Sequence, residues 1–512
     1  MNQKKFGLID IGSNTIRLVI FEINTFQKMH QLQNVKVTAR LSQYLSEDKI
    51  MSEKGIDALI STLHSFKIIL KEYDVSKFYP IATAAIRQAK NNTAIVERVK
   101  NETDIELIIL SEKEEATYGQ YAITHSTKAE TGITIDIGGG STELTYFKNK
   151  KSVHFISLPF GAVTLKNMFF CDKSHNDEKA IRKTEAFLQK EFQEVEWLKK
   201  CQLPLIAIGG SARNIVNVHQ QMINYPIAGN HEYEMSKEEL KDVLNLFKSL
   251  SFTELQNLDG LSRDRADIIL VANLVFINLY KAIDAQEFIF CNKGLREGYM
   301  ITKINHDFPD AYSTDHIPDE SILRLGQSYG VSPSVAKQRV AVTKEIAGQL
   351  SENDFLPPNQ SWSKILFYSS QLYYLGQYVE SEAASQHTFY LISNSNLNGF
   401  THRERVAIAL LASYKNKSML KQYLNNFPEW FSSDEIKWLQ TAGGLIKFSD
   451  TLTASHINQI HKITLNQDNK KQYTLTVFYT GDILIESYRA NRQKKHLESL
   501  INGSVNIIFT KN

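Results

Sequence analysis

The sequence predicts an α/β fold of two similar lobes, followed by a helical domain and a small α+β module. A strand–turn–strand pattern occurs twice, as GLIDIGSN at residues 7–14 and ITIDIGGGSTE at residues 133–143. Strand-like and helix-like segments alternate around both copies, and after Lys303 the pattern changes to helical periodicity. Two matching hairpins in an alternating chain are typical of duplicated actin-like (ribonuclease H-like) lobes.

The first lobe is predicted over residues 1–124 and the second over residues 125–303. The elements predicted after the first hairpin are a helix at 54–73, a strand at 77–82, a helix from Ala84, a strand at 106–110 and a helix from Ser111. In the second lobe, a strand at 205–208 runs into Gly209-Gly210-Ser211 and a helix. The apolar stretch at 268–280 reads as a buried helix.

The remainder of the chain is predicted as a helical domain over 304–445 and a module over 446–512. The module shows β-rich runs at 472–478 and 482–488 and a charged helix at 490–500. The basic residues within 489–496 are typical of a solvated helix face, although point charges of this kind could also bind along a polyanion.

Bulk composition places the chain among ordinary globular proteins of several domains. It has 512 residues, of which 42% are hydrophobic and 22% charged, and a net charge of +2, so it shows no general preference for nucleic acid. We expect a cytoplasmic protein without a membrane segment, because a strand begins by Phe6 and the longest apolar stretch is too short to span a bilayer. The three cysteines have no metal-ligand spacing.

The two hairpin turns predict phosphate binding. A tight turn of glycine and hydroxyl residues leaves backbone N–H groups that can bind phosphate oxygens. Asp10 and Asp136, each at the end of a first strand, are placed to hold a hydrated metal ion beside that phosphate. Neither turn is a Walker loop, because Gly-Lys-Ser/Thr is missing, and neither is a Rossmann fingerprint, because a strand follows.

Three further segments could carry chemistry. Ser111 and Glu114 predict a capping box, which leaves Glu115 in the first helical turn as a possible base for an attacking water; a solvated helix-start glutamate is the alternative. Arg87 could bind an anion near a helix start, or be a surface arginine. Gly209 and Gly210 would allow a ligand to approach the backbone closely.

Together these segments resemble the exopolyphosphatase / guanosine pentaphosphate phosphatase family over roughly the first 300 residues, with a looser match to its long-form members beyond. The matching pieces are residues 10–14, 83–87, 111–116, 136–143, 158–162, 208–210 and 294–298.

The resemblance implies roles for individual residues. Glu115 would activate water, and Arg87, Ser13 and Asn14 would surround the terminal phosphate. The second turn, Gly138, Gly139, Gly140 and Ser141, would bind phosphate, with the carboxylates of Asp136 and Glu143 tied to Mg²⁺ or another divalent cation. The reaction implied is hydrolysis of the terminal phosphate of linear polyphosphate, in a protein expected to form a homodimer.

The resemblance also implies that the helical domain is like a His-Asp (HD) metal-dependent phosphohydrolase. In this chain Tyr373 and Tyr374 stand where the His-Asp pair would be. Phenols stay protonated at neutral pH and are poor metal ligands, so we expect an HD-like domain without a site of its own.

Three other functions remain open from the sequence. Guanosine pentaphosphate shares the phosphoanhydride end of polyphosphate and could be the substrate. An actin-like ATP-dependent kinase is compatible with the hairpins, although no sugar-binding signature is present. A non-catalytic sensor of a phosphorylated ligand is the third alternative.

Overall fold

The computed structural model describes residues 4–24, 28–309, 311–352, 355 and 360–512. The chain forms two compact units. The first unit comprises Met1–Asn224 with Asn230–Asp315, and the second comprises Tyr225–Gly229 with His316–Asn512.

The first sheet of the first unit has the strand order β3-β2-β1-β4-β5. Strand β1 is antiparallel to β2 and parallel to β4. In chain order the elements are β1 (Lys4–Ile11), β2 (Ile16–Ile23), β3 (Met29–Val37), α1 (Glu53–Glu72), β4 (Lys77–Ala82), α2 (Ala84–Arg87), α3 (Asn92–Thr103), β5 (Ile108–Ile109) and α4 (Glu112–Thr124).

The second sheet repeats this topology. Its order is β10-β11-β9-β6-β7-β8, with β6 antiparallel to β7 and parallel to β9. Read from β8, the first five strands follow the order of the first sheet, so the predicted duplication of actin-like lobes is confirmed. The elements are β6 (Gly132–Ile137), β7 (Thr142–Lys148), β8 (Lys151–Leu158), α5 (Ala162–Phe170), α6 (Glu178–Gln193), β9 (Leu205–Ile208), α7 (Gly209–Met222), β10 (Tyr233–Met235), α8 (Lys237–Ser249), α9 (Phe252–Gln256), α10 (Ile269–Ile283), β11 (Phe288–Phe290) and α11 (Leu295–Asp307).

Successive side chains of β1 point to opposite faces of the first sheet, and both faces are buried. Ile9 and Ile11 pack into a cluster that includes α1, whereas Phe6 and Leu8 pack into a second cluster with residues of α11. Helix α11 continues past the predicted boundary at 303/304, and Tyr312 still packs with this second cluster. The first unit therefore extends to Asp315.

The second unit is helical up to Thr451 and ends in a three-stranded sheet with two helices. Its elements are α12 (Ile317–Ser328), α13 (Pro333–Glu352), α14 (Gln360–Gln371), α15 (Ala384–Asn394), α16 (His402–Ala412), α17 (Lys417–Leu424), α18 (Ser433–Thr451), β12 (Ile460–Asn469), β13 (Gln472–Tyr479), α19 (Leu484–Gln493), α20 (Lys495–Ile501) and β14 (Ser504–Lys511). Helix α18 crosses the predicted boundary at 445/446, and one hydrophobic cluster includes residues from both sides of it.

One predicted strand in this unit is wrong. Residues 482–488 were expected to be β-rich, but α19 begins at Leu484. The carboxylate of Asp482 accepts a hydrogen bond from the Leu484 N–H at 3.0 Å, which turns the chain into a helix. The third strand of the sheet is β14 instead, and it pairs in parallel with β13.

In the part of the chain that the structure describes, no helix has the length and apolar character that crossing a membrane requires.

Candidate active site

The two hairpin turns have the same geometry. The Gly12 N–H donates to the Thr15 carbonyl at 3.0 Å, and the Gly138 N–H donates to the Ser141 carbonyl at 2.9 Å. Each turn thus closes a four-residue loop, which contains Ser13 and Asn14 in the first lobe and Gly139 and Gly140 in the second. The sequence repeat is therefore also a structural repeat.

Helix α5 orients the second turn. The Ala162 N–H donates to the Gly138 carbonyl at 3.0 Å, and the Val163 N–H donates to the Gly139 carbonyl at 3.0 Å. In a trans peptide the C=O and the following N–H point in opposite directions. The N–H groups of Gly139 and Gly140 therefore point away from α5, where they can bind phosphate oxygens.

The third predicted loop touches the end of β6. Gly209 has a φ of +86°, and a Cβ there would lie 2.5 Å from the Asp136 Oδ1 atom. Gly210 lies against the guanidinium of Arg265, which a side chain would displace. Glycine is therefore required at Gly209 by backbone conformation, whereas at Gly210 it leaves room for the Arg265 guanidinium.

Glu115 and Arg87 form an ion pair at the start of α4. The Arg87 Nη1 donates to Glu115 Oε2 at 2.9 Å and to the Leu110 carbonyl at 2.9 Å. The predicted capping box of Ser111 and Glu114 is confirmed. Its hydrogen bonds lower the pKa of Glu114, so Glu114 has a capping role. Glu112 is the more exposed of the remaining two acids of this turn, whereas Glu115 is largely covered and directly paired with Arg87.

Burial raises the pKa of Glu115 to about 7. The hydrogen bond and charge of Arg87 oppose this rise, whereas the negative charges of Asp136 and Asp10 add to it. A carboxylate of this kind takes up and releases a proton near neutral pH, as a general base requires.

Arg87 has further donors available for an anion. Its Nε and Nη2 atoms are buried and have no hydrogen-bond acceptor among the described residues. Its other charged contact is Glu112, 3.8 Å from Nη2. Because buried donors are normally satisfied, these two atoms indicate a ligand with acceptor oxygens.

The predicted acidic residues share one electrostatic environment. Burial raises the pKa of Asp136 to about 6 and that of Glu143 to about 8. Asp136 and Glu115 contribute to the rise at Glu143, and Asp10 contributes to the rise at Asp136. Burial also raises the pKa of Asp10, against the charges of Arg296 and Arg17.

These carboxylates fit a hard divalent cation only together with other ligands. Among the described residues, no three His, Cys, Asp or Glu side chains lie close enough to hold a metal ion. Asp10, Asp136 and Glu143 are thus not a complete three-carboxylate site. Neighbouring carboxylates that repel one another do suit Mg²⁺, which keeps several waters and takes phosphate oxygens as ligands.

Sequence reasoning missed a group of arginines beside these acids. Arg296 Nε lies 3.7 Å from Asp10 Oδ2, and Arg265 Nη1 donates to the Ser211 hydroxyl at 3.2 Å. Burial and the charge of Arg296 lower the pKa of both Arg17 and Arg213. Arg17, Arg213 and Arg296 each follow a glycine-containing turn in the sequence, a signal that could have revealed them.

The region expected to be HD-like contains an ion pair beside the two tyrosines. The Arg339 Nε lies 2.8 Å from Asp450 Oδ1, and its guanidinium is 5.8 Å from the centre of the Tyr373 ring. Burial raises the pKa of Tyr374 to about 12 and that of Tyr373 well above its usual value. Both phenols are therefore protonated at neutral pH, as expected.

Duplicated actin-like lobes with paired glycine-rich turns and a half-buried Glu–Arg pair are typical of enzymes that act on phosphate groups. The sequence profile of the Ppx/GppA phosphatase family matches residues 19–306, and that of Ppx/GppA phosphatase domain III matches residues 317–478. The chain belongs to the Ppx/GppA phosphatase family, which confirms the predicted family and class.

Several curated proteins are similar to this chain. Exopolyphosphatase 1 of Mycobacterium tuberculosis is 24% identical over 64% of this chain and 96% of its own length. The guanosine-5'-triphosphate,3'-diphosphate pyrophosphatase of Aliivibrio fischeri is 23% identical over 84% of this chain and 81% of its own. A bifunctional 3-dehydroquinate synthase/phosphatase of Fusobacterium nucleatum is 27% identical over 52% of this chain, but the match spans only 42% of that protein.

A solved structure supports the fold assignment. The crystal structure of the Aquifex aeolicus Ppx/GppA family member is 27% identical, with a TM-score of 0.54, over 60% of this chain and 99% of that one.

Proposed function

We propose that this protein hydrolyses phosphoanhydrides and removes the terminal phosphate of linear inorganic polyphosphate by direct attack of water. The observation that carries this proposal is the half-buried pair of Glu115 and Arg87, with a carboxylate whose pKa is about 7 and a guanidinium with two donors still available. The similarity to exopolyphosphatase 1 supports the choice of polyphosphate.

The reaction requires positioning and charge neutralisation. Water forms a bond to the terminal phosphorus, the bridging P–O bond breaks, and the shortened chain leaves with the bridging oxygen. Glu115 accepts the water proton. Arg87 Nε and Nη2 and the N–H groups of Gly139 and Gly140 bind the oxygens on which negative charge builds up.

Asp10, Asp136 and Glu143 are the residues that would hold Mg²⁺. When bound, the ion neutralises phosphate charge and orients the terminal group. The group of arginines beside these acids would attract the next phosphates of the chain; its members are Arg17, Arg213, Arg265 and Arg296.

The substrate test is phosphate release from polyphosphates of graded length, with Glu115→Gln as the matched inactive control. We expect release that requires an added divalent cation and is lost in the variant. Transfer of phosphate from ATP to a small acceptor without release would indicate a kinase instead. Tight binding without any turnover would indicate a sensor.

Guanosine pentaphosphate is the second candidate substrate. The similarity to the A. fischeri pyrophosphatase extends over 84% of this chain, including most of the second unit. The ratio of kcat/KM for long-chain polyphosphate to that for guanosine pentaphosphate decides between the two. A ratio above one supports the first proposal.

We also propose a fold type for the helical part of the second unit and a homodimeric assembly for the protein. Residues 317–451 would be an HD-like helical domain without metal chemistry, used to hold the polyphosphate tail or to form a homodimer. We further propose that the protein acts in the cytoplasm. Analytical ultracentrifugation of the full chain tests the dimer, and a monomer at micromolar concentration would exclude it.

A further inference from the structure

The second lobe contains a cavity that the proposed reaction does not use. Its volume is about 430 Å³, within the range of small-molecule sites. The last turn of α5, the loop that follows it, and the first turns of α9 and α10 form its walls. None of the residues lining it was assigned above to catalysis, to phosphate binding or to a metal.

The cavity is apolar at its base and basic at its rim. Phe170, Leu270 and Val271 are buried and form the base. The ring of Phe252 is 42% exposed and forms one side. An apolar ligand with a flat face would replace water on these surfaces favourably.

Two lysines at the rim favour an anion. Lys166 Nζ is paired with Asp267 at 2.7 Å, so its charge is partly neutralised. The Lys173 Nζ is hydrogen-bonded to the Phe169 carbonyl at 3.2 Å, a neutral acceptor that leaves its charge in place. With two ammonium groups and one carboxylate, the rim carries one net positive charge.

Helix α5 connects this cavity to the second phosphate turn. The C-terminal half of α5 lines the cavity with Lys166 and Phe170, whereas the helix N-terminus is hydrogen-bonded to Gly138 and Gly139. A Cβ at Gly161 would lie 2.5 Å from the Gly138 carbonyl, so helix and turn are in close contact. A small movement of α5 must therefore move the turn as well.

We propose that this cavity is an effector site for a small amphipathic anion, an apolar ring system with one acidic group, and that its occupancy is coupled through α5 to phosphate binding at the turn. The coupling rests on the proposed function of the turn, whereas the binding site does not. By reciprocity, a phosphate ligand at the turn changes the affinity for the anion by the same factor as the anion changes the affinity for phosphate.

The test is a fluorescence titration of the full chain with 1-anilinonaphthalene-8-sulfonate, an aromatic ring system with one sulfonate. Phe252→Ala removes the exposed aromatic wall, and Lys173→Met removes the charge while keeping most of the stem. Both residues are exposed, so neither change should unfold the protein. We expect each to raise the Kd by about three- to tenfold.

Two control variants distinguish binding of the sulfonate in this cavity from its binding elsewhere on the protein. Lys179→Met removes an exposed lysine of α6 outside the lining, and Leu484→Ser removes an apolar side chain that is 74% exposed in the second unit. Neither should change the Kd. If Phe252→Ala and Lys173→Met also leave it unchanged, or if only Leu484→Ser weakens binding, the site is refuted.

The coupling is tested by repeating the titration with saturating imidodiphosphate, which resists hydrolysis. We expect the Kd of the sulfonate to change about fivefold or more. If calorimetry shows that imidodiphosphate binds but the Kd of the sulfonate does not change, the coupling is refuted and the phosphate site stands. If imidodiphosphate does not bind at all, the proposed phosphate site has failed, and the coupling with it.

Discussion

The guanidinium of Arg87 lies 2.9 Å from the carboxylate of Glu115, although the two residues come from different helices, α2 and α4. The pair is within reach of the negative charges of Asp10 and Asp136, at the ends of the first strands of the two lobes. The carboxylate–guanidinium pair therefore lies in the field of acids from both lobes.

Replacement of Glu115 by glutamine should lower kcat by about 10²–10⁴-fold, the usual contribution of a general base. KM should change little, because the amide keeps the shape of the side chain. The measurement is phosphate release at saturating substrate. Glu114→Gln is the matched control, since that carboxylate only caps α4. A severe loss in Glu114→Gln with a mild loss in Glu115→Gln would reverse the assignment.

The rate should rise with pH through about 7, because Glu115 must be ionised to accept a proton and its pKa is about 7. Arg87 lowers that pKa by hydrogen bond and charge. In Arg87→Met the midpoint of the kcat/KM profile, which reports the free enzyme, should therefore move to higher pH, and its maximum should be lower. A midpoint that stays in place would show that another group controls the profile.

The sequence was sufficient to predict most of this geometry, because local patterns carry it. The glycine turns, the capping box at Ser111 and the strand at 77–82 are all present as predicted. The sequence could not show contacts between residues that are far apart in the chain. Arg265 reaches Ser211 across 54 residues of sequence, and no short motif encodes such a contact. The prediction of a strand at 482–488 was wrong for a local reason, because Asp482 forms a turn that starts a helix.

Glu143→Gln should stabilise the protein at pH 8 when a chelator is present. Burial raises the pKa of Glu143 to about 8 from an ordinary 4.5, so the folded state binds more protons than the unfolded chain between these values. Stability therefore falls as the pH rises through this window. The glutamine variant does not titrate and should therefore be more stable than the wild type at pH 8.

The measurement is urea unfolding at pH 5 and pH 8. The exposed Glu47→Gln is the control and should show the wild-type slope of stability with pH. A glutamine variant at position 143 that is less stable than the wild type at pH 8 would show that this carboxylate is stabilised in the fold.

Removal of divalent metal should abolish phosphate release, and Asp136→Asn should raise the magnesium concentration needed for half-maximal rate. The physical reason is that Asp136 is a hard-oxygen donor proposed to hold the ion, and loss of solvent together with the charge of Asp10 destabilises its carboxylate when no cation is present. Asp434→Asn is the matched control, since that carboxylate is 92% exposed and lies in the second unit. Full turnover in excess chelator would remove the metal from the mechanism.

A chain that ends at Asp315 should still hydrolyse tripolyphosphate but use long polyphosphate poorly. The first unit keeps both sheets, the Glu115–Arg87 pair and the packing of Tyr312, whereas a cut at residue 303 would interrupt α11. If the second unit holds the distal part of a long chain, its loss removes a second attachment point and should raise KM for long polyphosphate by about tenfold or more. Tripolyphosphate, too short to need that attachment, is the internal control, and circular dichroism checks the fold of the shortened chain. Unchanged KM and processivity on long chains would show that the second unit takes no part in binding substrate.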